Sequence, residues 1–342
     1  MNSKSSRSFF GGFETARAAG LVFLAFAILY GHSARAEEPI RIRFSHVVAE
    51  GTPKGQAALA FKREAEKRLG TKVRVEVYPN GTLFSDADEM AALLGGKVEI
   101  LAPSLSKFEP YTKKLRVFDL PFLFDGVRAI DRFQNGPAGL ALLGAMTDRG
   151  IRGLAFLHNG MKQMIATRPL RRPENLRGLA VRLQDSDVIE AQFRALGANP
   201  VRLDFARVGE AVEKGAVEAQ ENTWSNIASQ GFHKRQRHVT ETNHAPLEYL
   251  MVTSTRFWDS LPALVRLNLE VVLTKITLDN ADLAAELNDQ DRRRIQKDGA
   301  EIIRLSQGEL ALWRQAMEPV WRRFEPEIGK DLIDAALAAN TR

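Results

Sequence analysis

Arg182 is the residue whose type and setting most invite chemistry. In "LRGLAVRLQDS" (176–186), Leu179, Val181 and Leu183 alternate with Ala180, Arg182 and Gln184. A strand here would carry one apolar face and present Arg182 and Gln184 on the other. A guanidinium offers two parallel donors matched to a carboxylate and keeps its charge when buried. Two readings fit the residue alone: a structural ion pair with an acid such as Asp204 or Glu221, or capture of an anion from outside the chain. Catalytic signatures are missing; there is no GxSxG elbow, no phosphate-binding P-loop and no HExxH. The histidines (His32, His46, His158, His233, His238, His244) stand at no metal-ligand spacing. With no cysteine, disulfides, thiolate ligands, nucleophilic thiols and a lipid-modified amino-terminal cysteine are excluded. No acidic pair stands out as a general acid and base. An enzyme is possible, but nothing in these residues argues for one, and no catalytic residue, metal or other cofactor is expected.

The elements that must position Arg182 alternate. "IRIRFSHVV" (40–48) reads as a strand, and Thr52 caps a helix that starts at Pro53 and stops at Gly70. "KVRVEVYPNG" is a second strand closed by a Pro79-Asn80-Gly81 turn; Asp86 to Leu94 reads as a helix and "KVEILAPS" as a third strand. The Asn80-Gly81-Thr82 sequon is read as part of that turn. Strand, helix, strand, helix, strand implies a parallel sheet with helices on both faces. The pattern restarts after residue 150 with "GLAFLH", "LAVRLQ", a helix from Val188 to Leu196, "NPVRLDF", a helix from Val208 to Lys214, and "VEAQENTW". "APLEYLMVTST" (245–255) is a further strand, and beyond about Ala263 the chain reads as wholly helical. Two α/β units with a helical carboxyl end suggest a hinged pair around a cleft. In parallel α/β sheets ligands gather at the carboxyl ends of strands, where Arg182 lies.

The amino end carries a different signal. Lys4, Arg7 and Arg17 precede the apolar run "LVFLAFAILY" (21–30), and "SARA" follows with Ala34 and Ala36 at the small positions of a cleavage site. This is the pattern of a cleavable secretory signal over residues 1–36, with cleavage after Ala36. Ten apolar residues are too few for an ordinary transmembrane helix, and no other segment is long enough, so a soluble exported chain is expected. The 342 residues suit two domains, each with its own core. The signal holds Lys4, Arg7, Arg17 and Arg35 against Glu14, which is half of the formal net charge of +6. The remainder is scattered: Arg292, Arg293 and Arg294 form a run, but Asp289, Asp291 and Asp298 surround it, so a solvated helix face is expected and no nucleic-acid partner.

Ordered motifs along nearly the whole chain resemble the extracytoplasmic solute-binding proteins of TRAP (tripartite ATP-independent periplasmic) transporters, in particular their DctP-like dicarboxylate-binding branch. They include "RFSHVVAEGTPKG" (43–55), "VEVYPNGTLFSD" (75–86), "LAPSLSKF" (101–108) and "VFDLPFLFD" (117–125). "NGMKQM" (159–164), "RPENLRGLAVRLQDS" (172–186), "AVEAQENTWSN" (216–226) and "ETNHAPLEYL" (241–250) continue the series. By this resemblance Arg182 matches the arginine that holds the ligand carboxylate. Lys162 matches a second cationic or polar position, and Asn222 an asparagine that hydrogen-bonds the ligand. Phe205 and His244 match further site positions, and His46 and Ser104 line the cleft from the first domain. Trp224 is counted among the ligand-binding candidates on the residue itself, as pocket-lining or hinge packing. Pro246 and Glu248 depart from the branch, and Asp185 and Asp187 are more acidic than it usually shows; such carboxylates near the pocket would tune which acid is taken.

The fold so implied is α/β: two lobes, each a mostly parallel sheet flanked by helices, hinged around a central ligand cleft, with a helical carboxyl-terminal region. Lobe I is expected over 37–159 plus about 248–287, and lobe II over 160–247 plus about 288–342. The function implied is periplasmic transport. A small organic acid, in particular malate, succinate or fumarate, would be captured between closing lobes and delivered to the small and large subunits of a TRAP membrane permease. Other readings are the same role for a sugar, keto or aromatic acid, the sensing component of a signalling system, or a periplasmic enzyme acting on an organic acid.

Overall fold

The computed structural model describes Met1 and residues 38–341. The expected signal peptide over 1–36, its cleavage site and His32 lie outside the described residues. Among those described, no helix is long and apolar enough to cross a membrane.

The first sheet has the order β2-β1-β3-β10-β4, built from β1 (Ile40–Ser45), β2 (Val73–Tyr78), β3 (Ile100–Leu101), β4 (Ile151–Met161) and β10 (Pro246–Ser254). β1 pairs in parallel with β2 in a register that sets Ile42 opposite Val75 and Phe44 opposite Val77. The alternation read from the sequence is what buries Ile42 and Phe44 against Phe61 of the helix Pro53–Leu69. That helix begins as expected: the Thr52 side chain accepts from the Gly55 N–H at 3.2 Å, Pro53 opens the first turn, and Gly70 ends it. Asn80 and Gly81 both adopt left-handed φ angles, +56° and +67°, so the turn after β2 uses the two residue types that tolerate them.

The second sheet has the order β11-β9-β5-β8-β6-β7. It comprises β5 (Gln163–Ala166), β6 (Ala180–Leu183), β7 (Asn199–Arg202), β8 (Ala219–Asn222), β9 (His238–Glu241) and β11 (Glu301–Arg304). Each sheet is parallel except for one strand, β10 in the first and β5 in the second. These two are the strands the chain enters on passing between sheets. β4 leaves the first sheet at Met161 and β5 begins at Gln163; β9 ends at Glu241 and β10 begins at Pro246. The Lys162 N–H donates to the Ala245 carbonyl at 2.8 Å, tying the two crossings together. A third crossing is the 35-residue helix Ala263–Lys297, whose Val265 to Ile276 pack on the first sheet's core and whose Ile295 packs with Val239 of the second.

Two expectations about the carboxyl end need correction. The region beyond Ala263 is not wholly helical, because β11 adds a parallel edge strand against β9. Four residues, "EIIR", are too few to declare a period among long helices. Nor does all of 288–342 pack with the second sheet. In the helix Gln307–Ile328, Trp313 and Met317 join that core, but Val320, Phe324 and Ile328 join the first core together with Leu332, Ile333 and Ala336. The helix is long enough to span both, and its apolar stripe continues across.

Candidate functional site

A narrow cavity lies where elements of the two sheets face each other. Lys54, Asp86 and Lys107 belong to the chain around the first sheet; Lys162 sits on a crossing; Arg182 and Glu221 come from β6 and β8. Four cations against two carboxylates leave the wall with a formal excess of two positive charges. The cavity therefore suits an anion.

Arg182 stands on β6 between β7 and β8, opposite Val201 and Gln220. Its neighbours Val181 and Leu183 are buried in the core, and the alternation read from sequence turns Arg182 to the cavity. The side chain is 5 % exposed, yet no carboxylate among the described residues lies within salt-bridge distance. Nε and Nη2 donate to the Leu203 carbonyl at 3.0 and 2.8 Å, and the guanidinium carbon lies 5.9 Å from the centre of the Phe205 ring. One edge of the fork is thus fastened to backbone, which leaves donors at Nη1 and Nη2 for a carboxylate. Burial pulls its pKa down to about 10, with Asp86 and Glu221 opposing, so it remains charged near neutrality. The ion pair with Asp204 or Glu221 that the sequence allowed does not form: Asp204 faces Lys107 at 3.5 Å, and Glu221 is engaged elsewhere.

Glu221 binds Lys162 Nζ through Oε1 and His244 Nε2 through Oε2, both at 2.6 Å, and His244 Nδ1 meets the Thr242 hydroxyl at 2.8 Å. Burial opposes ionisation of Glu221, but Lys162 and His244 more than offset it and hold its pKa at about 2. Burial keeps His244 below the usual imidazole range. Lys162 reaches the cavity as one half of a buried ion pair. His244 does not line it; it stands behind Glu221, because the Glu221 carboxylate fills the space between them.

Asn222, Phe205 and Ser104 line the cavity. Asn222 Oδ1 accepts from the Thr223 N–H and from Asn226 Nδ2, which leaves its own Nδ2 to donate. Ser104 bridges to Tyr249 and meets the Ser106 hydroxyl at 3.1 Å. Phe205 also closes the cavity through its backbone, donating to Asp86 Oδ2 at 2.9 Å.

His46 and Trp224 do not line this wall. His46 follows β1, is fully buried edge-on to Phe44, and burial together with Lys54 pulls its pKa down to about 3. Trp224 packs with Val239 and Ile295, lies 5.8 Å from the Arg292 guanidinium, and faces a different cavity beside Gly160 and Asn243. The acids thought to tune the ligand are likewise occupied. Asp185 and Asp187 bind Arg202 at 2.5 and 2.6 Å, and Asp187 also binds Arg116 at 2.7 Å. Glu248 points to the far face of β10, where it meets His158 Nδ1 at 2.9 Å and Gln134 at 2.8 Å.

Sequence reasoning missed Lys54, Asp86, Lys107, Asn226 and Tyr249 on the wall. For Lys54 a signal existed. It is the second residue of a helix, where the positive end of the helix dipole disfavours a cation, and such local conflicts gather at functional positions. The others come together only through tertiary packing.

Comparison with known proteins gives this cavity its context. Residues 44–327 match the family model described as bacterial extracellular solute-binding protein, family 7. The C4-dicarboxylate-binding periplasmic protein DctP of Shewanella loihica is 49% identical over 303 residues, covering 88% of this chain and 90% of that protein. Its namesake in Vibrio cholerae is 44% identical, over 89% and 92%. Among solved structures, a TRAP periplasmic solute-binding protein from Shewanella oneidensis with bound succinate superposes with a TM-score of 0.87 at 49% identity, over 89% of this chain and all of that one. Another from Pseudomonas aeruginosa with bound L-malate has a TM-score of 0.82 at 49% identity, over 83% and 100%. These matches run through the segments that carry Arg182, Lys162 and Asn222. The chain belongs to the family 7 extracellular solute-binding proteins, a family of receptors and not of enzymes, and within it to the DctP branch of TRAP receptors.

Proposed function

We propose that this chain is the periplasmic receptor of a TRAP transporter, taking up a four-carbon dicarboxylate such as succinate, malate or fumarate and delivering it to the small and large subunits of a membrane permease. Succinate and L-malate in the relatives' structures support the ligand class, and the relatives' periplasmic names support the compartment. One lobe is built on the first sheet together with residues 320–339, and the other on the second sheet. The crossings at Lys162, at 242–245 and along the helix Ala263–Lys297 serve as the hinge. Arg182, Lys162, Asn222, Phe205 and Ser104 are the binding residues; His244 positions Glu221 and through it Lys162.

The observation that carries this reading is a buried Arg182 aimed into the cavity with no carboxylate of the described residues within salt-bridge distance. A cation left so in a folded protein is costly unless a partner arrives. Arg182→Ala tests it by calorimetric titration with succinate and L-malate. Affinity should fall by several hundred-fold, from the roughly 3–5 kcal/mol that loss of one partner in a buried charge pair costs. The melting temperature of the ligand-free protein should hold or rise, since no internal acid loses its partner. A folded variant that binds both acids normally would overturn the assignment.

A further inference from the structure

Asp119 is a buried acid with no cation beside it. It is 3 % exposed, its neighbours Phe118 and Leu120 belong to the first core, and no Lys, Arg or His nitrogen of the described residues lies within 4 Å of its carboxylate. Arg116, just before it, is spent on Glu109, Asp187 and Glu327. What Asp119 does meet is Ser186, whose Oγ lies 2.9 Å from its Oδ2 and 3.2 Å from Glu109 Oε1. Ser186 ends the segment that follows β6 and caps the helix Asp187–Ala195, where its Oγ accepts from the Ile189 N–H at 3.3 Å. A hydroxyl has one proton, so Ser186 donates to one of the two acids, and the other must bring a proton of its own. Glu109 is placed as an acceptor: it takes Arg116 at 3.0 Å and the Asp187 N–H at 3.1 Å, at a helix N-terminus where backbone dipoles favour negative charge. Asp119 has neither. Burial pushes its carboxyl up to about 7; Lys162 and the Ser186 hydrogen bond pull against this, and Glu109 and Glu221 reinforce it.

We propose that Asp119 is a proton-carrying positioning residue: as a neutral acid it donates to Ser186, which donates to Glu109, and this relay fastens the end of the Arg182 strand to the first lobe and couples capture of an anion to retention of the proton. The fastening is reinforced by the Asp119 carbonyl, which accepts from Gln192 Nε2 at 2.5 Å on the same helix. The coupling is electrostatic. Lys162, the cation that acts on Asp119, also lines the cavity. An anion bound there adds negative charge to the same buried region and favours the neutral form of Asp119. By linkage, the proton favours the anion by the same factor. Around neutrality part of the free receptor has lost this proton, so binding draws it back from solution. This inference rests on the receptor reading above and adds a regulation of that site.

The test begins on the ligand-free receptor. Carboxyl carbon-13 NMR, with Asp119→Asn to assign the resonance, should show Asp119 titrating between pH 6 and pH 8, and a group already ionised at pH 5 would overturn the proposal. Calorimetric titration with succinate at pH 7, in buffers of different ionisation enthalpy, then counts the protons exchanged. The wild type should take up roughly a few tenths of a proton per ligand, and Asp119→Asn, whose amide donates to Ser186 but cannot ionise, should lose most of that uptake. At pH 6 the same variant should bind succinate within about threefold of the wild type, whereas Asp119→Ala, which has no donor, should bind about tenfold more weakly. Equal uptake in the wild type and Asp119→Asn would overturn the coupling. An Asp119→Ala protein, folded by circular dichroism, with wild-type affinity at pH 6 would overturn the positioning role. Failure of the wild type to bind any four-carbon dicarboxylate is a different result: it would remove the receptor reading, while the NMR titration still decides the proton on Asp119.

Discussion

Arg182 and Lys54 differ in how a sequence exposes them. Arg182 interrupts an apolar alternation, so its oddity is visible within five residues. Lys54 sits in "GTPKG", where a lysine looks like an ordinary surface residue until the fold buries it. Burial pulls the Lys54 ammonium down to about 8, with Glu89 and Asp86 opposing, while Glu89 rises to about 8. The other titratable neighbours do not compensate: His46 is held neutral, and burial pushes the Tyr249 hydroxyl above its usual range. Rising pH takes a proton from one or the other of this pair, and either loss lowers the positive potential around the cavity. Affinity for an anionic ligand should therefore weaken as pH rises into the alkaline range. Titrations across the range check this, and Glu89→Gln, which cannot ionise, should leave only the part of the fall that belongs to Lys54.

At the scale of elements, the site depends on how strands pass between the sheets. β4 ends in Asn159-Gly160-Met161 before the chain crosses at Lys162. Gly160 has φ +114°, and a Cβ there would stand 2.8 Å from Asn288 Nδ2, the group that donates to the Asn159 carbonyl. Gly160→Ala should therefore destabilise the fold by about 1–3 kcal/mol, the cost of a residue forced into that region. A urea titration reads this directly, and wild-type stability in the variant would contradict it. The Glu221 network explains why Lys162 and His244 fall on the two crossings: one carboxylate fastens both segments at the floor of the cavity.

For the whole molecule, closure is the property at stake. Asp86 meeting the Phe205 N–H and Lys107 facing Asp204 join chain around one sheet to chain around the other across the cavity mouth. If ligand binding closes the two lobes over Arg182, small-angle scattering should record a smaller radius of gyration on addition of succinate, and no change in Arg182→Ala at the same concentration. Binding should also raise the wild type's apparent stability by mass action, about 2.7 kcal/mol at a hundredfold excess over Kd. Compaction of the Arg182→Ala protein by succinate would separate closure from this residue.

Local physics made much of this chain legible before folding. The alternation of Ile42 and Phe44 and of Val181 and Leu183, the Thr52-Pro53 start, the Asn80-Gly81 turn and the interruption at Arg182 all rest on neighbours within a few residues. The family motifs extended that reading to the class of the protein. Tertiary structure alone decided which charges cancel. Glu221 took Lys162 and His244, Arg202 took Asp185 and Asp187, and His158 took Glu248, while Lys54 and Arg182 were left facing the cavity. Charge pairing depends on distances of a few ångströms between residues as far apart in sequence as His158 and Glu248, and a linear pattern does not contain those distances.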